Sequence, residues 1–494
     1  MMKIRRLIIS LFVVMFSTVL LACGGSDDNN GSKEPTVPTV PSTEPTAPQQ
    51  GSDNLLPDST GFNPSQPMQI CVGSESVGYY QQVLNKFVSD NNLPFTIEVT
   101  GVDTGSYADT FLRDPSVGAD IFVAAHDNLG KLLDGAGAIA PITNTKLVDQ
   151  IDNTTEVAFQ NVCYLAPAGS TPQYYGVPII RQSLVLYYDK TYFADDEAVS
   201  SWEKIVEVAE NAGKWAVSYV GSDGYSYSHW LLAQPANSQA QKAFGKKGTL
   251  ELFQRGNAAN NMAWGDDQVA INNYAQRFTL NKNGRNGAVT GDAWTSELQN
   301  GQAITVIGGA WNLNSIKSIL GDNFGVTVLP TFKLTGADAF GTAKSGMEFR
   351  SGSYYDVKCL MKKKGSEYDA YLDAILYYLS SDEIQLGSYQ QCGNLPASIN
   401  IEIPSTDALA NAQVRQGELA GIPQPFGYNA SFNPTYYSKG TAAMYLEIHQ
   451  NTNNAYGTKA KIQAALQEIS YIWAHNAIPN SSADVKDWAD SYGK

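Results

Sequence analysis

The sequence predicts an α/β protein of two lobes, each a mostly parallel sheet flanked by helices. Three observations predict it. First, the folded body opens with alternating strand and helix signals. Gln69–Val72 is a short strand-like run, Tyr80, Val83, Leu84 and Phe87 share one helical face, Phe95–Val99 alternates, and Asp120–Ala124 reads as a buried strand. A β-α-β-α-β order argues parallel strands joined by right-handed crossovers. Second, the body from Met68 to Lys494 exceeds the roughly 250–300 residues that one core organises, so it should divide. Third, Trp294–Lys333 has the pattern found at the carboxyl end of a strand in an open α/β sheet, where ligands bind.

That third stretch reads as follows. Leu298 precedes Asn300-Gly301, a pair suited to ending a helix. Ala303–Ile307 is short, apolar and partly β-branched, enough for one covered strand. Gly308-Gly309 permits a tight turn or a close approach of the backbone to a ligand, and Trp311 follows. Asn312 or Asn314 is placed to cap a helix through Ile316, Ile319 and Leu320, and Val326–Leu329 is a second strand stopped by Pro330.

Two segments precede the body. Met1–Ala22 carries Lys3, Arg5 and Arg6 ahead of an apolar run from Leu7 to Leu21, the pattern of an export signal peptide. It ends Leu20-Leu21-Ala22-Cys23, which looks like a lipobox, cleaved before Cys23 so that the thiol carries lipid. Residues 23–66 then form a disordered tether rich in Pro, Ser and Thr, reaching about 35 Å as a flexible coil. Later in the chain, Glu367–Ser380 reads as a helix capped by Ser366, with Tyr371, Leu372, Ile375, Leu376 and Leu379 inward. Ala460–His475 is the last long helix, with Ile462, Leu466, Ile469 and Trp473 on one face.

Composition narrows the function. A net charge of −15 and a pI near 4.7 argue against a nucleic-acid partner. Beyond Cys23 the cysteines are Cys71, Cys163, Cys359 and Cys392, with no C-x-x-C and no zinc spacing. In an exported protein they are able to pair, with three connectivities open, or to stay as buried thiols. The four histidines, His126, His229, His449 and His475, stand in no H-E-x-x-H. There is no G-x-S-x-G, P-loop or G-x-G-x-x-G either. Two carboxylates suffice for a glycosidase, and 48 acids leave that open, but no pair occupies a catalytic motif. The expectation is a binding protein, not an enzyme, with no cofactor and no metal.

Four runs carry a family resemblance: Asp120–Ile142 (DIFVAAHDNLGKLLDGAGAIAPI), Tyr175–Lys190 (YGVPIIRQSLVLYYDK), Ala303–Trp311 (AITVIGGAW) and Phe324–Gly336 (FGVTVLPTFKLTG). Over roughly Met68–Asn476 the chain resembles the extracellular solute-binding proteins of carbohydrate ABC transporters, and among them the maltose/maltodextrin-binding lipoproteins. The resemblance implies the type II periplasmic-binding-protein fold, hinged where the chain crosses between lobes near Ile180–Gln182, Val328–Phe332 and Asn400–Ser405. The lobes would be 68–180 plus 331–400, and 181–330 plus 401–494. It also implies capture of an oligosaccharide between the lobes, an α-glucan such as maltodextrin first and a different oligosaccharide as the alternative. The closed form would dock on the membrane permease subunits of an ABC importer, with Cys23 holding the protein to the outer face of the membrane. A surface adhesin or a glycoside-active enzyme is the remote alternative.

A neutral sugar asks for aromatic plates and for side chains that take hydroxyls. Trp311 matches the family's stacking Trp; the alternative is a Trp packed into the strand–helix corner. Tyr227 matches a stacking Tyr, with Tyr225 beside it. Tyr436 falls at another plate, with Tyr437 and Phe432 as alternatives, and a core role suits each Tyr equally. Asp127 matches a hydroxyl-binding Asp and is also placed to cap a helix through Leu129 and Leu132. Ser74 and Glu75 lie in the first strand–helix loop, where the family carries an Asp-Lys pair. Gln182 stands where maltose binders carry Glu, Asn128 where they carry Arg, and Ala124 where they carry Trp. The framework is retained while several direct contacts change.

Overall fold

The computed structural model describes residues 55–58, 60–134, 137–167, 170–219, 294–333, 348–424 and 479–491, with isolated positions between 225 and 285 and between 468 and 475. The leader, Cys23, the Pro-rich run of the tether, Tyr227, Tyr436 and most of the expected helix 460–475 lie outside the described residues.

The chain opens with β1 (Met68–Gly73), α1 (Val77–Asp90), β2 (Ile97–Val102), α2 (Tyr107–Arg113) and β3 (Ile121–Ala125), as its periodicity predicts. Tyr80, Leu84 and Phe87 of α1 face the core and Val83 is half-buried. All five residues of β3, IFVAA, are buried, which suits a strand covered on both faces. Helices α3 (Thr145–Thr154) and α4 (Val157–Cys163) follow, then β4 (Val177–Ser183). One residue, Leu184, separates β4 from β5 (Val185–Asp189), which belongs to a different sheet. Next come α5 (Trp202–Ala212), β6 (Ser218–Tyr219), β7 (Gln234–Pro235), α6 (Trp294–Gln299), β8 (Thr305–Gly308), α7 (Leu313–Leu320) and β9 (Phe324–Thr327). Strands β8 and β9 lie about two residues from their expected bounds. After β10 (Thr331–Phe332) and β11 (Phe349–Arg350), β12 (Ser353–Lys362) runs for ten residues. Helices α8 (Asp369–Leu379), α9 (Asp382–Cys392) and α10 (Ala408–Ala420) lead to β13 (Gly421–Pro423).

The first sheet has the order β13-β12-β3-β1-β2, with β4 paired to β12. The second has the order β9-β5-β8-β6, and β10-β11-β7 form a small third sheet. Strands β1 to β4 run in one direction, as do β6, β8 and β9. The reversed strands are β12 and β13 in the first sheet and β5 in the second. The expected parallel arrangement therefore holds except where the chain enters a sheet from the other one. Strand β4 leaves at the carboxyl edge, so β12, returning over that edge, must run the opposite way.

Each main sheet has its own core. Ile70, Val72, Leu84, Phe122, Val357, Met361, Tyr371 and Leu376 belong to the first. Val185, Tyr187, Val306, Ile316, Val326 and Ala412 belong to the second. All five residues expected to point inward from the helix after Ser366 are buried. Ser366 does not cap it at the expected residue: its hydroxyl donates to Asp120 Oδ1 and accepts from the Tyr368 amide, and the helix starts at Asp369.

Three expectations about the course of the chain are corrected. The tether does not run to Gln66. Leu56 and Phe62 pack against the first core, and Phe62 meets the rings of Phe95, Tyr368 and Tyr371 at 5.8, 5.6 and 5.0 Å. The Tyr368 hydroxyl also donates to the Gln66 carbonyl. Leu56, Phe62 and the Gln66 carbonyl together attach this polar stretch to the body. The change of sheet after β9 is completed only at Gly352, since β10 and β11 intervene in the small sheet. Residues 401–494 do not all belong with the second sheet, because Gly421–Pro423 pairs with Ser353–Tyr355 of β12.

The crossing segments are tied together by α10. Gln413 accepts from the Ser183 amide at 3.3 Å. Gln416 accepts from the Leu329 amide at 2.9 Å and donates to the Ser351 carbonyl at 3.0 Å. Both glutamines are buried. Leu184 donates its amide to Ser353 Oγ at 2.9 Å. These bonds supply backbone groups that leave a sheet ladder at the crossing and would otherwise be unpaired.

All four body cysteines are free thiols; Cys71, Cys163 and Cys359 are buried and Cys392 is half-buried. Burial pushes the Cys359 thiol well up, with the Cys163 thiol beside it acting in the same direction.

In the second sheet, Ser218 on β6 donates to Glu297 of α6. Burial raises the Glu297 carboxyl above its ordinary value and the Ser218 bond opposes that shift. An acid with a raised folded-state pKa favours folding most when protonated. Its contribution is present at low pH and is lost as pH rises through the carboxyl's raised value. Glu297→Gln is therefore expected to stabilise the chain more at about pH 8 than at about pH 4. Thermal unfolding at the two values checks this; an equal shift at both would rule out the ionisation as its cause.

Candidate ligand-binding site

The site is arranged along the first half of β12. Side chains of a strand alternate between faces, so Tyr354 and Asp356 share one face while Tyr355 and Val357 share the other. Tyr355 and Val357 belong to the first core. Tyr354 and Asp356 are left on the face that meets the residues singled out from the sequence.

On the side of the second sheet, Trp311 follows β8 and is 50% exposed. The expectation of a fully buried corner Trp does not apply. Its ring lies over Gly309: a Cβ on Gly309 would come within 2.2 Å of the indole. Only glycine permits this approach. Asn312 Oδ1 accepts from the Gly309 amide at 3.1 Å, and the Tyr187 hydroxyl donates to the Gly309 carbonyl at 2.8 Å. The turn is thus held from both sides, with one face of the indole outward. Asn312 does sit at the start of α7, but its side chain reaches back to the turn rather than forward into the helix. Tyr225 is buried, with its ring centroid 6.3 Å from that of Trp311 and 6.0 Å from that of Tyr354. The Tyr225 hydroxyl donates to the Tyr354 carbonyl at 3.3 Å. The aromatic row Trp311–Tyr225–Tyr354 therefore reaches onto β12.

On the side of the first sheet, β3 ends at Ala125 and a short turn carries His126, Asp127 and Asn128, all buried. Asp127 accepts from Asn128 Nδ2 at 2.9 Å and from Gln424 Nε2 at 3.2 Å. The helix Leu129–Leu132 follows as expected, but Asp127 does not cap it; the residue at its N-terminus is Asn128, with no side-chain cap bond. Asn128 Nδ2 also donates to the Ala125 carbonyl at 3.1 Å. Gln182 of β4 lies directly opposite Asp356 of β12 in the ladder. His126 joins these elements. Its Nδ1 accepts from the Val357 amide at 3.0 Å and its Nε2 lies 2.9 Å from the Gln424 carbonyl oxygen.

Three acceptor oxygens in this group, Asn128 Oδ1, Gln182 Oε1 and Asp356 Oδ1, are buried without a hydrogen-bond partner. Each such oxygen costs about 1–3 kcal/mol, and more for a carboxylate. A ligand rich in hydroxyl donors would satisfy acceptors of this kind.

The structure thus gathers Asp127, Asn128 and Gln182 around β12, and Tyr225 with Trp311. Ser74 and Glu75 are exposed at the carboxyl end of β1, on the edge where β3 also ends, apart from the group around β12. Sequence reasoning missed His126, Tyr354, Asp356 and Gln424. A signal for Tyr354 and Asp356 was present: Tyr355, Val357, Cys359 and Met361 alternate as the apolar, core-facing side of a strand. His126 acts through backbone partners about 230 and 300 residues away, and Gln424 through the side chains of His126 and Asp127, so neither has a local signature.

Comparison with known proteins agrees with this architecture. Two maltooligosaccharide ABC transporter solute-binding lipoproteins of Streptococcus pneumoniae strains are each 24% identical over 290 residues. The match covers 56% of this chain and 62% of the relatives' length. Among solved structures, a maltodextrin-binding protein from L. casei BL23 without ligand superposes with a TM-score of 0.61 at 20% identity, over 83% of this chain and 100% of that one. A cyclo/maltodextrin-binding protein with maltotetraose gives 0.58 at 16% identity, over 85% and 100%. A maltose-binding protein of Listeria monocytogenes with maltose gives 0.56 at 15% identity, over 84% and 99%. The fold is the two-lobed type II fold of these proteins. Residues 82–413 match the model of one family, so the chain belongs to the bacterial extracellular solute-binding proteins.

Proposed function

We propose that this protein captures an oligosaccharide between its two lobes and delivers it to the permease of an ABC importer. The observation that carries the proposal is the pairing of a half-exposed indole, backed by Tyr225, with the unpartnered acceptor oxygens of Asn128, Gln182 and Asp356 on and beside β12. An apolar ring face suits the indole, and its rim of hydroxyls suits the oxygens. The lobes are built on the two main sheets and hinge at Leu184, at the described crossing residues 328–330 and 351–352, and around α10. Ligand closes the hinge by no more than its differential affinity for the closed state. An α-glucan such as maltodextrin is the leading ligand, because the relatives are named for maltooligosaccharide and maltodextrin. Asn128 and Gln182, in place of the expected Arg and Glu, favour a different neutral oligosaccharide as the second reading.

In this proposal Met1–Ala22 is removed on export, lipid on Cys23 holds the chain to the outer face of the membrane, and the Pro-rich segment spaces the body from it. Ser74, Glu75, Tyr227 and Tyr436 complete the sugar contacts. Binding involves no chemical step, no cofactor, no metal and no nucleic acid. Calorimetric titration of the full chain with maltose, maltotriose, longer maltodextrins and unrelated neutral oligosaccharides tests the reading. Saturable binding of an α-glucan supports it. Binding of another sugar alone keeps the transport role and changes the solute. Release of shortened products would replace capture with hydrolysis.

A further inference from the structure

We infer that Asp356 supplies the carboxylate that selects the sugar at this site, in place of an acid at the Gln182 position. The inference rests on the sugar-binding reading above and names the residue that confers specificity within it.

Asp356 and Gln182 face each other in the β12–β4 ladder. Cross-strand partners of this kind have Cβ atoms about 5 Å apart, so an acid on either strand serves nearly the same point in space. Both residues are buried, at 8% and 6% exposure. Both keep an oxygen that receives no hydrogen bond, Asp356 Oδ1 and Gln182 Oε1.

His126 is the obvious candidate to neutralise Asp356, since its Nδ1 lies 3.7 Å from Asp356 Oδ1. The geometry rules that out. The same Nδ1 accepts from the Val357 amide, so its lone pair points at a donor and it carries no proton to give. Nε2 faces the Gln424 carbonyl and holds the ring's proton. The backbone of β12 thus fixes the tautomer in which His126 does not donate to Asp356. A buried carboxylate oxygen without a donor is retained when something else supplies one. A sugar hydroxyl held between the lobes is a donor of the kind this buried oxygen needs. The pair is also selective. Gln182 offers both an acceptor and an NH2 donor, whereas Asp356 accepts only, so the sugar position beside Asp356 must present a donor. A site that hydrogen-bonds a hydroxyl discriminates strongly against the analogue lacking it.

The test is a cycle on the full chain, using Asp356→Asn and maltotriose with its singly deoxygenated analogues. Asp356→Asn is expected to weaken maltotriose binding on the order of 30-fold. One deoxy analogue is expected to bind the parent weakly and the variant no worse than maltotriose does. If every analogue loses the same factor in parent and variant, the direct contact is overturned and Asp356 is structural. If the parent binds sugar and the variant binds it equally well, this assignment fails while the sugar reading stands. If the parent binds no neutral oligosaccharide, both fail. Should Asp356→Asn not fold, the exchange Asp356→Asn with Gln182→Glu carries the test, since it keeps one acid and one amide in the pair. It should bind with a different preferred deoxy analogue; an unchanged profile would overturn the inference.

Discussion

Trp311→Ala is expected to weaken oligosaccharide binding by about 60-fold while leaving the fold intact. The indole is held with one face outward by Gly309, whose lack of a Cβ lets the ring lie on the turn. Covering about 100 Å² of that face at about 25 cal/mol per Å² gives roughly 2.5 kcal/mol, and each 1.4 kcal/mol is about tenfold in affinity. The half-exposed ring contributes less to the core than a buried Trp, so thermal stability should change little. Trp311 is itself one of the eight tryptophans that would report binding by fluorescence, so the variant is better titrated by calorimetry. Unchanged affinity in a folded variant would show that the exposed indole is not a sugar plate. Gly309→Ala offers an independent check: it moves the ring without removing it, and should weaken binding in the same direction.

Phe62→Ala is expected to destabilise the body by about 2–3 kcal/mol, below the full value for a buried Phe because the ring is only half-buried. The ring fills a gap bounded by Phe95, in the connection between α1 and β2, and by Tyr368 and Tyr371 at the start of α8. Docking it joins the end of the tether to two distant parts of the first core. Sugar affinity should be unaffected, since nothing in the site touches Phe62. Denaturant unfolding of the full chain measures the effect. No loss of stability would mean that residues 55–66 rest on the body without contributing to it.

Trp311 serves binding and Phe62 serves the fold, and the two residues differ in how far the sequence reveals them. The tether looked continuous because its composition is polar to Gln66; a single Phe is invisible to composition, and its value depends on the partners that folding brings to it. Trp311 was readable because its glycine turn, the strand before it and the helix after it are contiguous in the chain.

The sequence alone determined the elements whose pattern is local. The β-α-β-α-β opening, the apolar β3, the strand–glycine–Trp–helix corner and the inward face of α8 all follow from periodicity and turn residues. The need for two cores follows from length. Tertiary structure alone decided the rest. The reversal of β5, β12 and β13 follows from the edge over which each enters its sheet. The pairing of Asp356 with Gln182 spans 174 residues of chain, and the His126 tautomer is set by a backbone amide on another strand. Gln413 and Gln416 are ordinary helical glutamines until α10 lies across the crossings and their amides meet unpaired backbone groups. Local patterns record propensity and burial. Hydrogen-bond partners far apart in the chain are fixed only when the sheets place them side by side.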